Sequence, residues 1–130
     1  MEACAECVRQ RTELAEEFCA LRELFVALGD ETRQQIFLAL LESEQVGLRV
    51  GELTKRSHLS RPAVSHHLRI LKDADLVRMH REGTRNYYYA NADTHLWTAL
   101  QALAGHVCAV CGGALEAGYP QWNKEEHGWN

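Results

Sequence analysis

No apolar run in this chain of 130 residues approaches the length of a membrane span, about 20 residues. The first residues, Met-Glu-Ala-Cys-Ala-Glu-Cys, are acidic where a secretory leader would be basic and then apolar. Together these absences predict a cytoplasmic protein with no membrane partner. No segment repeats another, and no βαβ pattern surrounds either of the Cys-x-x-Cys pairs. Nothing in the chain offers a general base beside a substrate cleft, so no enzyme is expected, a thiol oxidoreductase or metal carrier being the rival reading.

What is present is one domain's length of sequence with an uneven charge. The formal net charge of -4 hides a middle, Arg49 to Arg85, with nine basic residues against four acidic ones. That middle carries +5 and the remainder -9, the footprint of a DNA-facing module between parts that face something else. A winged-helix module used only for protein contacts is the reading this charge disfavours.

The middle contains Ser60-Arg-Pro-Ala-Val-Ser-His-His-Leu-Arg-Ile-Leu-Lys72. Ser60 can cap a helix, and Pro62 falls in the first turn, where a missing amide proton costs little. Val64, Leu68 and Leu71 recur at helical spacing and would bury one face. Arg61, Ser65, Arg69 and Lys72, with His66 beside them, fill the other. Cations for phosphates and hydrogen-bonding groups for base edges are what a helix in a DNA major groove requires. A short helix from Val50 to His58 precedes it across a tight turn, and the two make a helix-turn-helix. After Lys72 the helix should stop near Asp73-Ala-Asp75, with Asp75 in the left-handed position. Leu76–Arg81 and Arg85–Ala90 then flank Glu82-Gly-Thr84 as a β-hairpin, a wing with Arg81 and Arg85 at its tip.

On the N-terminal side, Leu14, Phe18, Leu21, Phe25 and Leu28 alternate spacings of four and three, predicting one helix ended by Gly29. Asp30 would cap the next helix, through Ser43, with Ile36, Phe37, Leu40 and Leu41 in the core, and the segment from Glu44 to Arg49 reads as a loop. A last helix from Asn91 or Ala92 repeats the seam at Leu96, Leu100, Leu103, Val107 and Val110, and Gly112-Gly113 would end it. Two such seams exceed what one small core needs, so a homodimer is expected. The expected organisation is a Cys-containing segment 1–12, a winged helix-turn-helix domain with dimerisation helices 13–111, and an irregular tail 112–130. The fold class is mainly α with a small β-hairpin.

Ala27-Leu-Gly-Asp-Glu-Thr-Arg33, Gly51-Glu-Leu53, Leu59 to Leu71 with its Ser-His-His-Leu motif, and Leu76 to Tyr89 with its Arg-Glu-Gly hairpin together resemble the ArsR/SmtB family of winged helix-turn-helix repressors. The resemblance runs from about Leu21 to Val107. It implies a homodimer that sits on a double-stranded operator and leaves it when an inducer, often a metal or metalloid ion, binds. By matching positions, Arg61, Ser65, His66 and Arg69 would face DNA, with Arg81 and Arg85 on the wing. His67 would be either base-facing or buried against the core. Asp75 stands where the family usually has glycine. Leu53-Thr-Lys-Arg56 lacks the cysteines that arsenic and cadmium sensors of the family carry there, so that thiolate site is absent.

Two constellations remain for a sensed ion. Cys4-Ala-Glu-Cys7 and Cys108-Ala-Val-Cys111 offer four soft ligands for zinc or another thiophilic ion, arsenite and cadmium included. The same thiols could instead form reversible disulfides, making the chain a thiol redox-responsive regulator, or stay unpartnered. Cys19, beside Phe18, reads as a small core residue, with a ligand as the alternative. The second constellation is Asp93, His95 and His106 on the last helix. The two histidines share a face but lie about 16 Å apart, so they could meet on one ion only across a dimer. This spacing resembles the zinc site of the family's zinc sensors, with Ala109 in place of the fourth ligand; helix capping by Asp93 and two surface histidines is the alternative.

Overall fold

The computed structural model describes residues 4–116, apart from the side chains of Thr94 and of 111–116. They form six helices and one hairpin, in two compact units.

The central unit, residues 20–96, starts at a break. Leu21 has φ -102° and ψ 11°, so the expected single helix is two: α1 (Ala5–Ala20) and α2 (Arg22–Leu28). The break sets Leu21, Leu24 and Ala27 in the core, while Phe25 and Leu28 are only half-buried. Asp30 caps α3 (Glu31–Glu42), its carboxylate accepting from the Arg33 amide at 3.0 Å. Ile36, Phe37 and Leu40 are buried as expected. Leu41 is not: at 55% exposed it shares an outward edge with Leu38, three residues before it.

The segment 44–49 is more ordered than a plain loop. Leu48 pairs with Tyr88 through two backbone hydrogen bonds of 2.8 Å and is fully buried. Gly47 makes that possible: it has φ 99°, and a Cβ there would stand 3.0 Å from the Cβ of Tyr87.

Helices α4 (Val50–Ser57) and α5 (Arg61–Asp73) are joined by a turn in which His58 adopts the left-handed conformation, φ 58°. Ser60 caps α5 through the Ala63 amide at 3.3 Å, Pro62 sits in its first turn, and Val64, Leu68 and Leu71 are buried. Asp75 is left-handed at φ 60°, as expected. Strands β1 (Val77–Glu82) and β2 (Arg85–Ala90) pair antiparallel from Val77↔Ala90 to Glu82↔Arg85, and Gly83 turns the tip at φ 61°. Asn91 is the buried polar residue that fastens this corner. Its side-chain amide donates to the Asp75 carbonyl at 2.7 Å, its backbone amide to the Leu76 carbonyl at 2.9 Å, and its Oδ1 accepts from the Asp93 amide at 2.8 Å.

The other unit holds α1 and the greater part of α6 (Thr94–Glu116). Helix α6 runs through Gly112-Gly113 rather than ending there. Glycine in a helix interior costs about 1 kcal/mol against alanine but does not forbid the helix. His106 Nδ1 lies 2.6 Å from a Glu17 carboxylate oxygen, and Ala109 and Val110 face Gln10, Glu13 and Leu14 across a small cleft. The pairing descends α1 as it ascends α6, so the two helices are antiparallel. No described helix is long and apolar enough to cross a membrane.

Candidate nucleic-acid interface

Burying Val64, Leu68 and Leu71 against the core forces the opposite side of α5 outward. Arg61, Ser65, His66, Arg69 and Lys72 are all exposed there. His67 is half-buried: its Nδ1 is enclosed without a hydrogen-bond partner, which sets it apart from the exposed row. On the wing Arg81 and Arg85 are both exposed. Arg81 Nε donates to the Gly83 carbonyl at 2.9 Å, bracing the turn. Arg78, another cation of the basic middle, is committed elsewhere, to Asp75 at 3.5 Å and Asp93 at 3.2 Å.

Helix α5 and the wing border a feature the sequence did not disclose. A cleft of about 470 Å³ opens between the start of α4, the start of α5 and the wing tip, and Arg49, Lys55, Arg61 and Arg85 line it. Arg49 and Lys55 were counted in the basic middle, but spacing alone placed them on no common face with Arg85. Pairing of Leu48 with Tyr88 is what draws the segment before α4 to the wing.

The candidate metal ligands are only partly assembled. Cys4 and Cys7, both exposed, have sulfurs 2.7 Å apart, and the Cys7 amide donates to the Cys4 sulfur at 3.2 Å. Contact with the Cys7 thiol, and then that amide, holds the Cys4 thiol below its usual range; the same contact with Cys4 pushes Cys7 up. Cys108 is exposed on α6, one residue before the position that faces the middle of α1, whereas Cys4 and Cys7 lie at its start. The Cys111 side chain lies outside the described residues. Cys19 is exposed, not a core residue. Among the described residues no three His, Cys, Asp or Glu side chains gather into a metal-holding group.

Asp93 caps the start of α6, accepting from the His95 amide at 2.9 Å. That amide, and then the Arg78 guanidinium, holds its carboxyl below the usual range. His106 is engaged by Glu17, and His95 is exposed.

Residues 30–79 match the family model described as bacterial regulatory protein, arsR family. The chain is 37% identical over 71 residues to the transcriptional repressor SdpR of Bacillus subtilis, covering 55% of this chain and 76% of that protein. It is 39% identical over 87 residues to the transcriptional repressor SmtB homolog of Synechocystis, covering 67% of this chain and 63%, just under two thirds, of that relative. Among solved structures, the ArsR family transcriptional regulator RHA00566 superposes with a TM-score of 0.59 at 24% identity, over 71% of this chain and 90% of that one, a likeness of fold.

Proposed function

The chain belongs to the ArsR family of bacterial regulatory proteins, and on that premise we propose that it is a cytoplasmic repressor that binds an operator as a homodimer. The observation that carries this reading is the exposed row on α5 standing in one unit with the arginine-bearing wing. In it α5 enters the major groove, Ser65, His66 and Arg69 read base edges, and Arg81 and Arg85 follow the backbone from the wing.

The dimer forms through α1 and α6. Helix α1 has no buried residue in the single chain; Val8 and Phe18 are 46% and 54% exposed, and Val107 on α6 is 41% exposed. A partner helix covering that apolar surface removes it from water.

Operator occupancy is coupled to a thiophilic metal ion, zinc or another, or to thiol state at these helices. Cys4 and Cys7 supply the assembled half of the site, and Cys108 and Cys111, from the same chain or its partner, the other half. Asp93, His95 and His106 are a second candidate set, weakened by the prior engagement of Asp93 and His106. A metal that alters how α1 and α6 pair shifts the spacing of the two α5 helices, which the duplex fixes. Zinc analysis of protein purified without added metal, repeated on Cys108→Ser, tests the coupling; metal content unaffected by the substitution excludes Cys108 as a ligand.

The DNA reading is tested with a labelled duplex selected from a random pool by the wild-type protein, beside a scrambled duplex of the same composition. Ser65→Ala and Arg69→Ala should each cost about 1–3 kcal/mol on the selected duplex and little on the scrambled one. Equal losses on both would remove these residues from base reading.

A further inference from the structure

We propose that the cleft between the start of α4 and the wing tip seats one phosphate of the DNA backbone, and that Arg61, lying across Gly51, contacts that phosphate and does not read bases. The inference rests on the DNA-binding reading and divides its labour: α5 reads sequence through Ser65, His66 and Arg69, and the cleft sets how deep and at what angle α5 sits.

Four cations converge there, Arg49, Lys55, Arg61 and Arg85, from three separate segments of the chain. Three arginines outside the cleft are held by carboxylates: Arg9 by Glu6 and Glu13, Arg33 by Asp30, Arg78 by Asp75 and Asp93. None of the four cleft cations has an ion pair among the described residues. The acidic residue lining the cleft is Glu52, and its Oε1 already accepts from the Arg49 amide at 3.3 Å, closing the first turn of α4. Like charges held together repel unless an anion joins them. The first turn of α4 adds backbone N–H groups and the positive end of a helix dipole on the same side.

Gly51 fixes which way Arg61 goes. A Cβ on Gly51 would stand 3.0 Å from Nη2 of Arg61, so that end of the guanidinium lies against the bare backbone of α4. Arg61 is the first residue of α5, and this placement sends its charge toward α4 and the wing instead of along the row formed by Ser65, His66 and Arg69. A phosphate accepts a point charge, whereas at a bidentate base contact lysine does not reproduce the planar fork of the guanidinium.

That difference supplies the test, run with the full chain on the selected and scrambled duplexes over a range of salt. Arg61→Ala should weaken both duplexes by the same factor and lower the salt slope by about 0.9 for each cleft engaged. Arg61→Lys should restore slope and specificity together, and Gly51→Leu, which covers the surface where the guanidinium lies, should match Arg61→Ala while circular dichroism stays that of the wild type. Loss confined to the selected duplex with an unchanged slope, or failure of lysine to restore the slope, would overturn the assignment. A wild-type chain that binds neither duplex would instead overturn the DNA reading beneath it.

Discussion

Asn91 shows how much one buried amide can organise. Sequence reading placed it only near the start of the last helix, because nothing in its neighbours signals that its side chain would turn inward. In the fold it is 3% exposed and bonds the carbonyl of Asp75, whose left-handed conformation had been legible from the chain. Asn91→Ala strips two side-chain hydrogen bonds and leaves the Asp75 carbonyl unsatisfied. We expect a loss of about 1–3 kcal/mol in chemical denaturation, with the transition still cooperative. Leu41 illustrates the opposite failure. Apolar identity suggested burial, but its neighbours at positions 36, 37 and 40 already fill the inward arc of α3, leaving position 41 outside it. Arg78 is one of the nine basic residues counted in the middle, and the fold commits it to two ion pairs.

Elements were legible where local chemistry alone decides them. Helix α5 follows from Ser60, Pro62 and three apolar residues in register, and every one of those residues does what its type suggests. The hairpin likewise follows from tyrosines and Gly83. Long-range pairing was not legible: the bridge from Leu48 to Tyr88 joins residues forty apart, and the cleft cations depend on it. The division of the first seam into α1 and α2 escaped for a related reason, since a four-three pattern is unchanged by a break at a buried leucine. Capping carries a pH signature. The Arg33 amide, followed by the charge of Arg33, holds the Asp30 carboxyl below its ordinary 3.8, and the His95 amide and Arg78 do the same for Asp93. For a depressed carboxylate the stabilisation is complete above the unfolded value and disappears as pH falls through the lower folded one. Stability should therefore be flat near neutrality and decline below about pH 4, and Asp30→Asn should shrink that acid-limb slope in denaturation curves collected across pH.

On the scale of the whole molecule, the charge division and the two seams suggested a basic body that meets DNA and helices that meet another copy. The chain belongs to the ArsR family, its basic body carries the expected helix and wing, and the twofold assembly we propose is tested at α1. Phe18→Asp places a charge on the exposed apolar face of α1 and should weaken self-association by at least about tenfold in sedimentation equilibrium, leaving the central unit folded. An unchanged association constant would move the dimer contact off α1.

The central claim is that α5 and the wing reach one duplex together, and the salt dependence of Arg85→Ala tests it most directly. Arg85 sits at the wing tip and lines the same cleft as Arg61, at the start of α5. Truncating it should weaken selected and scrambled duplexes alike and lower the slope of log affinity against log salt by about 0.9 for each wing engaged. A slope identical to that of the wild type would mean that the wing does not touch DNA, and would contradict the account.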